Sequence, residues 1–406
     1  MSRSNQIAIN NSIASATLAS LYNEIPTIKL VNRDYSTMFG NQARQNGNTI
    51  QVPVPSRPFG GYGSAIVTNP VIETTVPVTL QQANVGYNFG GLELTLDIKD
   101  KGKRYIQDAG IYLGNLVETG ITSLYKNVSQ SVGTPGTPVT DTDVVYTAQT
   151  ILDEQSVPSN GRSLVLDPKT RQSLSGSIVT RFNPVPAVSG AFKDGMISGA
   201  FAGFSAYATN NIAQHTFGTW SGTPLVNGTI VNGATTMALD GLTPGSQFNV
   251  GDILSFAGCN SVNPISRQSN IRLKQVTIQS CTVADSGGNA TITFSPALIG
   301  PNGTSLNVNQ NVDALPLNNA AVTVFGASGA KSRVSLAFHR DAFTLAMVDL
   351  MALDVPSFAR VRSDKYGISL AVSKAANIEN YANVLRADIL FGANILRESF
   401  CVRVHS

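Results

Sequence analysis

The feature that most constrains the fold is a stretch from Trp220 to Gly329, in which short alternating strands follow one another with little helix signal. Each run places apolar residues at alternate positions and is bounded by Gly, Asn, Asp or Pro, which favour turns. The runs are TTMALDGL, GDILSFAG, NIRLKQVTIQSCTV, NATITFSPAL and AAVTVFG. This spacing predicts a small antiparallel β-barrel.

Helix and mixed signals lie on both sides of this stretch. Before it, apolar residues recur at helical spacing from about 97 to 128, which predicts a helix of roughly eight turns. These residues are Tyr105, Ile106, Ala109, Leu113, Leu116, Val117, Ile121, Leu124 and Val128. A strand at 163–167 leads into a short helix that starts near Pro168, and helix and α/β signals return at 335–350. The predicted fold class is α+β, with a β-barrel domain inserted into an α/β domain.

Three glycines, Gly110, Gly114 and Gly120, lie inside the long predicted helix. Each costs about 1 kcal/mol in helix propensity relative to alanine. Two explanations remain open: the glycines allow close packing against a neighbouring strand, or they are flex points that let the helix bend between two states.

A protruding β-hairpin is predicted upstream of this helix. The strand NTIQVPVPSRP carries Pro53 and Pro55, which exclude a central strand and indicate an edge or an arm. The chain returns through 71–96, again with alternating apolar residues, after a glycine-rich tip. Such a hairpin predicts contacts with other subunits, and the candidate residues are Arg57, Phe59, Tyr62, Val76, Val78 and Leu80.

Residues 1–28 are predicted to form an arm with one short amphipathic helix that Pro26 ends. A single short helix needs a surface to pack on. We therefore expect its apolar stripe to dock on the body or on a neighbouring subunit; the stripe is Leu18, Leu21, Tyr22 and Ile25.

Composition supports a chain that covers its surface with copies of itself. Charged residues make up 13% of the sequence, about half of the roughly 25% that is usual. The net charge is +3 and the basic residues are scattered, so any contact with nucleic acid should be loose and sequence-independent. No signal peptide or membrane-spanning segment is expected. The three cysteines are interpreted as small buried hydrophobes.

Motifs for catalysis or metal binding do not carry a functional prediction. His339, Arg340 and Asp341 match a kinase catalytic-loop triplet, but Ala346 stands where that loop needs a magnesium-binding Asn. Ser328 and Lys331 have an S-x-x-K spacing without its companion motifs. The three histidines lack partners at metal-ligand spacing. No catalytic residue, cofactor or metal is therefore predicted; a hydrolase would require His215, His339 or His405 to meet a nucleophile.

In its order of segments, the chain resembles the major capsid proteins of tailed bacteriophages with the Hong Kong phage fold. It looks most similar to the subgroup with an inserted β-barrel domain, the short-tailed Salmonella phage coat protein type. The segments that carry the resemblance are NTIQVPVPSRP, GGLELTLDIKDKGKRYIQDAG, ILDEQSVPSNGRSLVLDPKTRQSL, GDILSFAGCNSVNPISRQS, SLAFHRDAFTLAM and LRADILFGANILRESFCVRV.

The resemblance implies five regions. They are an N-terminal arm (1–45), an extended E-loop hairpin with peripheral strands (46–96), the spine helix with the first part of the P- and A-domains (97–219), the inserted β-barrel domain (220–332), and the remainder of the A- and P-domains (333–406).

The implied function is a structural, non-enzymatic one. Copies of the chain would form the hexamers and pentamers of an icosahedral shell, with a scaffolding protein, a portal and packaged double-stranded DNA as partners and no membrane. Assembly would take place in the cytoplasm of the host bacterium, and the product would be the virion. The alternative is a secreted or surface-displayed β-rich adhesive protein, which would share the low charge and the Asn, Thr and Gly richness.

Overall fold

The computed structural model describes residues 26–35, 48–54, 57–60, 66, 68–69, 74–90, 101–181, 200–303, 307–352, 355, 357–363, 368–379 and 382–406. They fall into two compact units. One is formed by the described residues of Met1–Val52, Val76–Ile121 and Phe343–Asn394; the other by those of Pro53–Thr75, Thr122–Ala342 and Ile395–Ser406.

The described part of the chain is α+β, as predicted. The helices are α1 (Thr27–Leu30), α2 (Lys101–Thr122), α3 (Asp143–Glu154) and α4 (Pro168–Arg181). The strands are β1 (Thr49–Val54), β2 (Thr74–Thr79), β3 (Gln81–Gly90), β4 (Ser131–Gly133), β5 (Arg162–Leu166), β6 (Ala200–Phe201), β7 (Phe204–Ala208), β8 (Gln214–Thr216), β9 (Gly222–Asn227), β10 (Ala234–Leu242), β11 (Ile253–Val262), β12 (Ser269–Cys281), β13 (Ala290–Leu298), β14 (Val322–Phe325), β15 (Lys331–His339), β16 (Phe343–Val348), β17 (Ser357–Ser363), β18 (Ile368–Asn377), β19 (Ala382–Ile395) and β20 (Cys401–His405).

The first unit combines the long helix α2 with a five-stranded sheet. The sheet has the order β16-β19-β18-β17, and β3 pairs with β19 along its whole length. The apolar stripe of α2 is buried as predicted, at Ala109, Leu113, Val117 and Ile121. Buried Glu118, on the same helix, accepts a 2.6 Å hydrogen bond from the Thr27 hydroxyl of α1.

The helix α2 ends earlier than the predicted end at about residue 128. Its described part ends at Thr122 and continues as a 3₁₀ turn, Ser123–Asn127. The last turn tightens because the chain becomes extended at Val128, whose N–H bonds to the carbonyl of Tyr125. Gly110, Gly114 and Gly120 all lie within α2, and their role as flex points stays a prediction.

The prediction of a long hairpin is right for its first two strands and wrong for residues 81–90. Strands β1 and β2 pair in a two-stranded sheet, as expected. Strand β3 does not extend that hairpin, because after a break at Leu80 it pairs with β19 in the five-stranded sheet. Residues 81–90 thus belong to the body of the first unit.

The second unit contains a mixed sheet with the order β4-β20-β15-β5-β7-β6, to which β8 adds by pairing with β15. The strand and helix predicted around Pro168 are β5 and α4. The helix signal at 335–350 is wrong: the residues form β15, a one-turn 3₁₀ helix at Arg340–Ala342, and β16. Both strands are almost entirely buried, and such strands show continuous apolar runs that resemble a buried helix.

The predicted barrel is present as an antiparallel sheet with the order β14-β11-β12-β13-β10-β9. Its end strands meet where the N–H of Val226 donates a 3.0 Å bond to the carbonyl of Ala320, so the sheet is nearly closed. Its interior is filled by apolar side chains from every strand, including Val226, Leu239, Phe256, Val276, Ile292, Phe294 and Val322. Five strands match the five predicted runs, whereas β9, which contains Pro224, was not predicted.

Candidate functional site

The predicted contact residues differ in whether the structure describes them and in how far they are buried within the single chain. Leu18, Leu21, Tyr22, Ile25 and Tyr62 lie outside the described residues. Val78 and Leu80 are buried within the single chain, whereas Val76 and Phe59 are half-buried. Their contacts with other subunits stay predictions, but Val78 and Leu80 already contribute to the packing of their own chain.

Arg57, three residues beyond the end of β1, is anchored within its own unit by three hydrogen bonds. Its N–H donates to Oδ1 of Asn309 at 2.8 Å, and its Nη2 donates to Oγ of Ser399 at 3.2 Å. Its carbonyl accepts a 2.8 Å bond from Nη2 of Arg267, a barrel residue. Burial, together with the nearby charges of Arg397 and Arg267, lowers the pKa of Arg57.

The turn between β11 and β12 carries Arg267 and packs on the end of α3. The amide Nδ2 of Asn263 donates to the carbonyl of Glu154 at 2.9 Å, and Nε2 of Gln155 donates to Oγ of Ser261 at 3.1 Å. An ion pair of 2.7 Å joins Arg272 to Glu154. These bonds fix one end of the barrel against α3, and the bond from Arg267 to Arg57 joins the same end to the segment that follows β1.

A cleft of about 340 Å³ opens between these elements, and we call it the arginine cleft. It is lined by Val54, Arg57, Pro58, Gln155, Ser156, Pro264, Ile265, Arg397 and Phe400. The guanidinium of Arg397 lies 5.1 Å from the centre of the Phe400 ring. Beside the cleft, burial raises the pKa of Glu398 and lowers the pKa of Lys274, while the opposite charges of these two groups attract each other.

A second cluster lies where the barrel joins the rest of its unit, and we call it the barrel root. His215 bonds through Nε2 to Oδ1 of Asp252 at 2.8 Å, and its Nδ1 lies 3.0 Å from the Tyr125 hydroxyl. The other oxygen of Asp252 accepts bonds from the N–H groups of Gly218 (3.0 Å) and Asn249 (2.8 Å). All three side chains are buried, so the charge of Asp252 is compensated by directed donors and not by water.

Arg403 completes the barrel root from strand β20. It is fully buried and donates to the carbonyl of Gly251 at 2.6 Å and to Oγ1 of Thr277 at 2.9 Å. Burial lowers its pKa to about 10, while the neighbouring Tyr125 opposes this shift. The segments that enter and leave the barrel pair beside it, with the N–H of Phe217 donating to the carbonyl of Ala330. The root therefore holds the barrel to its unit through buried polar bonds.

The pair Ser332 and His405 has the spacing of a nucleophile and a base, with Oγ 3.0 Å from Nδ1. Both side chains are buried, which leaves no room for a substrate at the hydroxyl. Burial lowers the pKa of His405 well below its usual value, and the charges of Arg403 and His215 lower it further. The arrangement therefore acts as packing between β15 and β20.

The sequence did not predict Tyr125, Asp252 and Arg403 as a group, because they meet only through long-range folding. Two cysteines, Cys259 and Cys401, are buried as expected, whereas Cys281 is only half-buried. Burial raises the pKa of Cys259 to about 12. Within the described ranges, no group of His, Cys, Asp and Glu side chains is placed to hold a metal ion. Among the helices that the structure describes, none is both long and apolar enough to span a membrane.

Comparison with protein families gives a match over residues 3–401 to the P22 coat protein, gene protein 5. A search of curated proteins gives no significant match. Three solved structures similar to this chain come from phages. That of Mycobacterium phage Che8 has 11% identity, a TM-score of 0.48, and coverage of 92% of this chain and 89% of the other. The capsid of cyanophage P-SCSP1u has 11% identity, a TM-score of 0.46, and coverage of 89% and 84%. The mature capsid of bacteriophage PhiM1 has 10% identity, a TM-score of 0.44, and coverage of 88% and 82%.

Proposed function

Since the chain belongs to the P22 coat protein family, we propose that it is the major capsid protein of a tailed bacteriophage. Many copies assemble into the icosahedral head shell, which encloses double-stranded DNA. The observation that carries this proposal is the family match over nearly the whole chain. The role is structural and the site of function is the virion.

The physical properties of the chain support such a role. A shell closes from contacts that are individually weak, so that errors dissociate, and numerous enough to give a stable particle. The low fraction of charged residues, 13%, suits surfaces that are covered by neighbouring copies. The hairpin beyond Arg57 and the arm of residues 1–28 are the segments that we expect to overlap neighbours.

The partners and the place of assembly are part of the proposal. Hexamers and pentamers of the chain form in the cytoplasm of the host bacterium, guided by a scaffolding protein around a portal. The packaged DNA is held by loose contacts, because the net charge of +3 provides little non-specific attraction for phosphate. The inserted barrel rigidifies the subunit through the barrel root and decorates the exterior of the shell.

Expression of the chain in bacteria, alone and together with the scaffolding protein of its phage, tests the proposal. We expect closed shells by electron microscopy and elution at megadalton mass in size-exclusion chromatography. A chain that remains a monomer under both conditions would contradict it. Replacing Phe59 and Tyr62 with alanine should lower the yield of shells. Arg57 is kept because its guanidinium donates a hydrogen bond to Ser399 within the chain.

A further inference from the structure

The arginine cleft has more cationic than anionic side chains in its lining and beside it. Two arginines line it, and the residues that line it include no carboxylate. Two acids lie beside the cleft and are shared with other cations: Glu154 forms an ion pair with Arg272, and the charge of Glu398 acts on Lys274 as well as on Arg57. The cleft is also apolar, with Val54, Pro58, Pro264, Ile265 and Phe400 in its lining.

Such a cleft suits a segment that offers one apolar side chain and one carboxylate side by side. Guanidinium groups pair with carboxylates through well-directed, charge-assisted hydrogen bonds. Ile265 is 74% exposed on the edge of the cleft, so an incoming apolar side chain would cover it.

The chain itself presents such a segment at the turn between β18 and β19. Ile378 is 92% exposed, and the exposed Glu379 follows it directly. Among the large exposed hydrophobic residues of the described chain, Ile378 is the one that is directly followed by a carboxylate. The turn is shaped by a 3.0 Å bond from the N–H of Glu379 to Oδ1 of Asn377, and the strands pair up to Asn377 and Ala382.

We propose that the β18–β19 turn of one subunit inserts Ile378 and Glu379 into the arginine cleft of a neighbouring copy, where Glu379 meets Arg57 and Arg397. The inference rests on the proposed function, because it needs assembled copies. The two surfaces are different parts of the chain, so the contact is head-to-tail, and head-to-tail contacts generate rings when the rotation closes. Hexamers and pentamers are rings of this kind.

Charge exchange tests the pairing. Glu379→Arg and Arg397→Glu should each lower the yield of closed shells by about tenfold, because each places like charges in contact. The double variant restores opposite charges and should recover most of the yield. Asp108→Arg, which reverses an exposed carboxylate on α2, is the matched control and should assemble as the unmodified chain does. Circular dichroism of the unassembled variants checks that each is folded.

Cross-linking tests the proximity without depending on the charges. Ile378→Cys combined with Ile265→Cys should give covalent dimers and higher multimers on a non-reducing gel after assembled shells are oxidised with diamide. All variants carry Cys281→Ser, because Cys281 is half-buried. Each single cysteine variant should then give none, because Cys259 and Cys401 are buried in the chain.

The two proposals fail differently. Shells that form from the unmodified chain, but show neither rescue by the double variant nor cross-links, would overturn the inference and leave the proposed function intact. An unmodified chain that forms no shells overturns the proposed function, and the inference with it.

Discussion

At the scale of single residues, Ile271 in strand β12 combines two unfavourable properties. Its backbone lies in the left-handed region at φ 55°, where a β-branched residue is strained, and its side chain is 89% exposed. The left-handed conformation costs an L-residue roughly 1–2 kcal/mol, and Asn adopts it more readily. Because the exposed side chain contributes little burial, relief of strain should dominate any substitution there.

We therefore expect Ile271→Asn to raise the free energy of unfolding by about 1 kcal/mol. Urea unfolding of the monomeric protein measures the change. Ile265→Asn is the control, since Ile265 is 74% exposed but is not among the residues with positive φ. That control should shift stability by no more than about 0.5 kcal/mol. Equal effects of the two variants would show that backbone strain is not the cause.

His405 gives the protein a dependence of stability on pH. Because its folded-state pKa lies well below 6.5, the unfolded chain takes up a proton as the pH falls below about 6.5 while the folded protein does not. The contribution of His405 to the free energy of unfolding is therefore fully present above this pH and decreases below it. The groups that lower the pKa are Arg403 and His215, in addition to burial.

His405→Asn should reduce this dependence, because Asn does not titrate and its amide can replace Nδ1 as the partner of the Ser332 hydroxyl. The measurement is urea unfolding at about pH 7 and about pH 5.5. The loss of stability between the two should be smaller in the variant by up to about 1.4 kcal/mol per pH unit. Parallel pH profiles for the variant and the unmodified chain would count against the assignment, even though the variant is less stable throughout.

At the scale of elements, two helical glycines differ in what a side chain would meet. A Cβ at Gly176, which is exposed on α4, has no heavy atom within 4 Å, whereas a Cβ at Gly120 on α2 meets Cε2 of Phe391 at 3.2 Å. Gly176→Ala should thus raise the free energy of unfolding by about 1 kcal/mol, from helix propensity alone. Gly120→Ala should gain less, because the Phe391 ring must move. Thermal unfolding of both variants compares them, and an equal gain would mean that the Gly120–Phe391 contact is loose.

How well a strand can be predicted from the sequence depends on whether one or both of its faces are buried. Strands with one buried face, such as β10, alternate in burial, and the alternation predicted them. Strands β15 and β16 are buried on both faces, so their apolar runs have no period of two and resemble the pattern of a buried helix. Strand β3 was predicted as a strand, but its partner β19 is some 300 residues away, and periodicity does not identify partners.

At the scale of the whole molecule, the barrel root depends on residues that are far apart in the sequence. Tyr125 meets His215 across 90 positions, and Arg403 meets Thr277 across 126 positions. The local sequence around each of these residues does not identify its partner. Only the folded topology of β8, β11, β12 and β20 brings them together. This is why the sequence predicted that a barrel is present and missed how it is held.

The barrel core provides the last prediction, because it is complete within the barrel. All the buried apolar side chains of its cluster lie between Val226 and Val322, so a fragment of residues 220–332 should fold by itself and unfold in one cooperative thermal transition. A fragment of residues 213–334 adds β8 and the pairing of β8 with β15, and it restores the bonds from His215 and Gly218 to Asp252. We expect the longer fragment to unfold at a higher temperature, because the carboxylate of Asp252 regains its directed donors. Asp252→Asn should remove most of the difference between the two fragments, since a neutral amide loses the charge-assisted part of these bonds. If the short fragment unfolds without a cooperative transition, the core alone does not suffice and the root is required for folding. If both fragments unfold at the same temperature, the polar bonds of the root contribute nothing to the stability of the barrel.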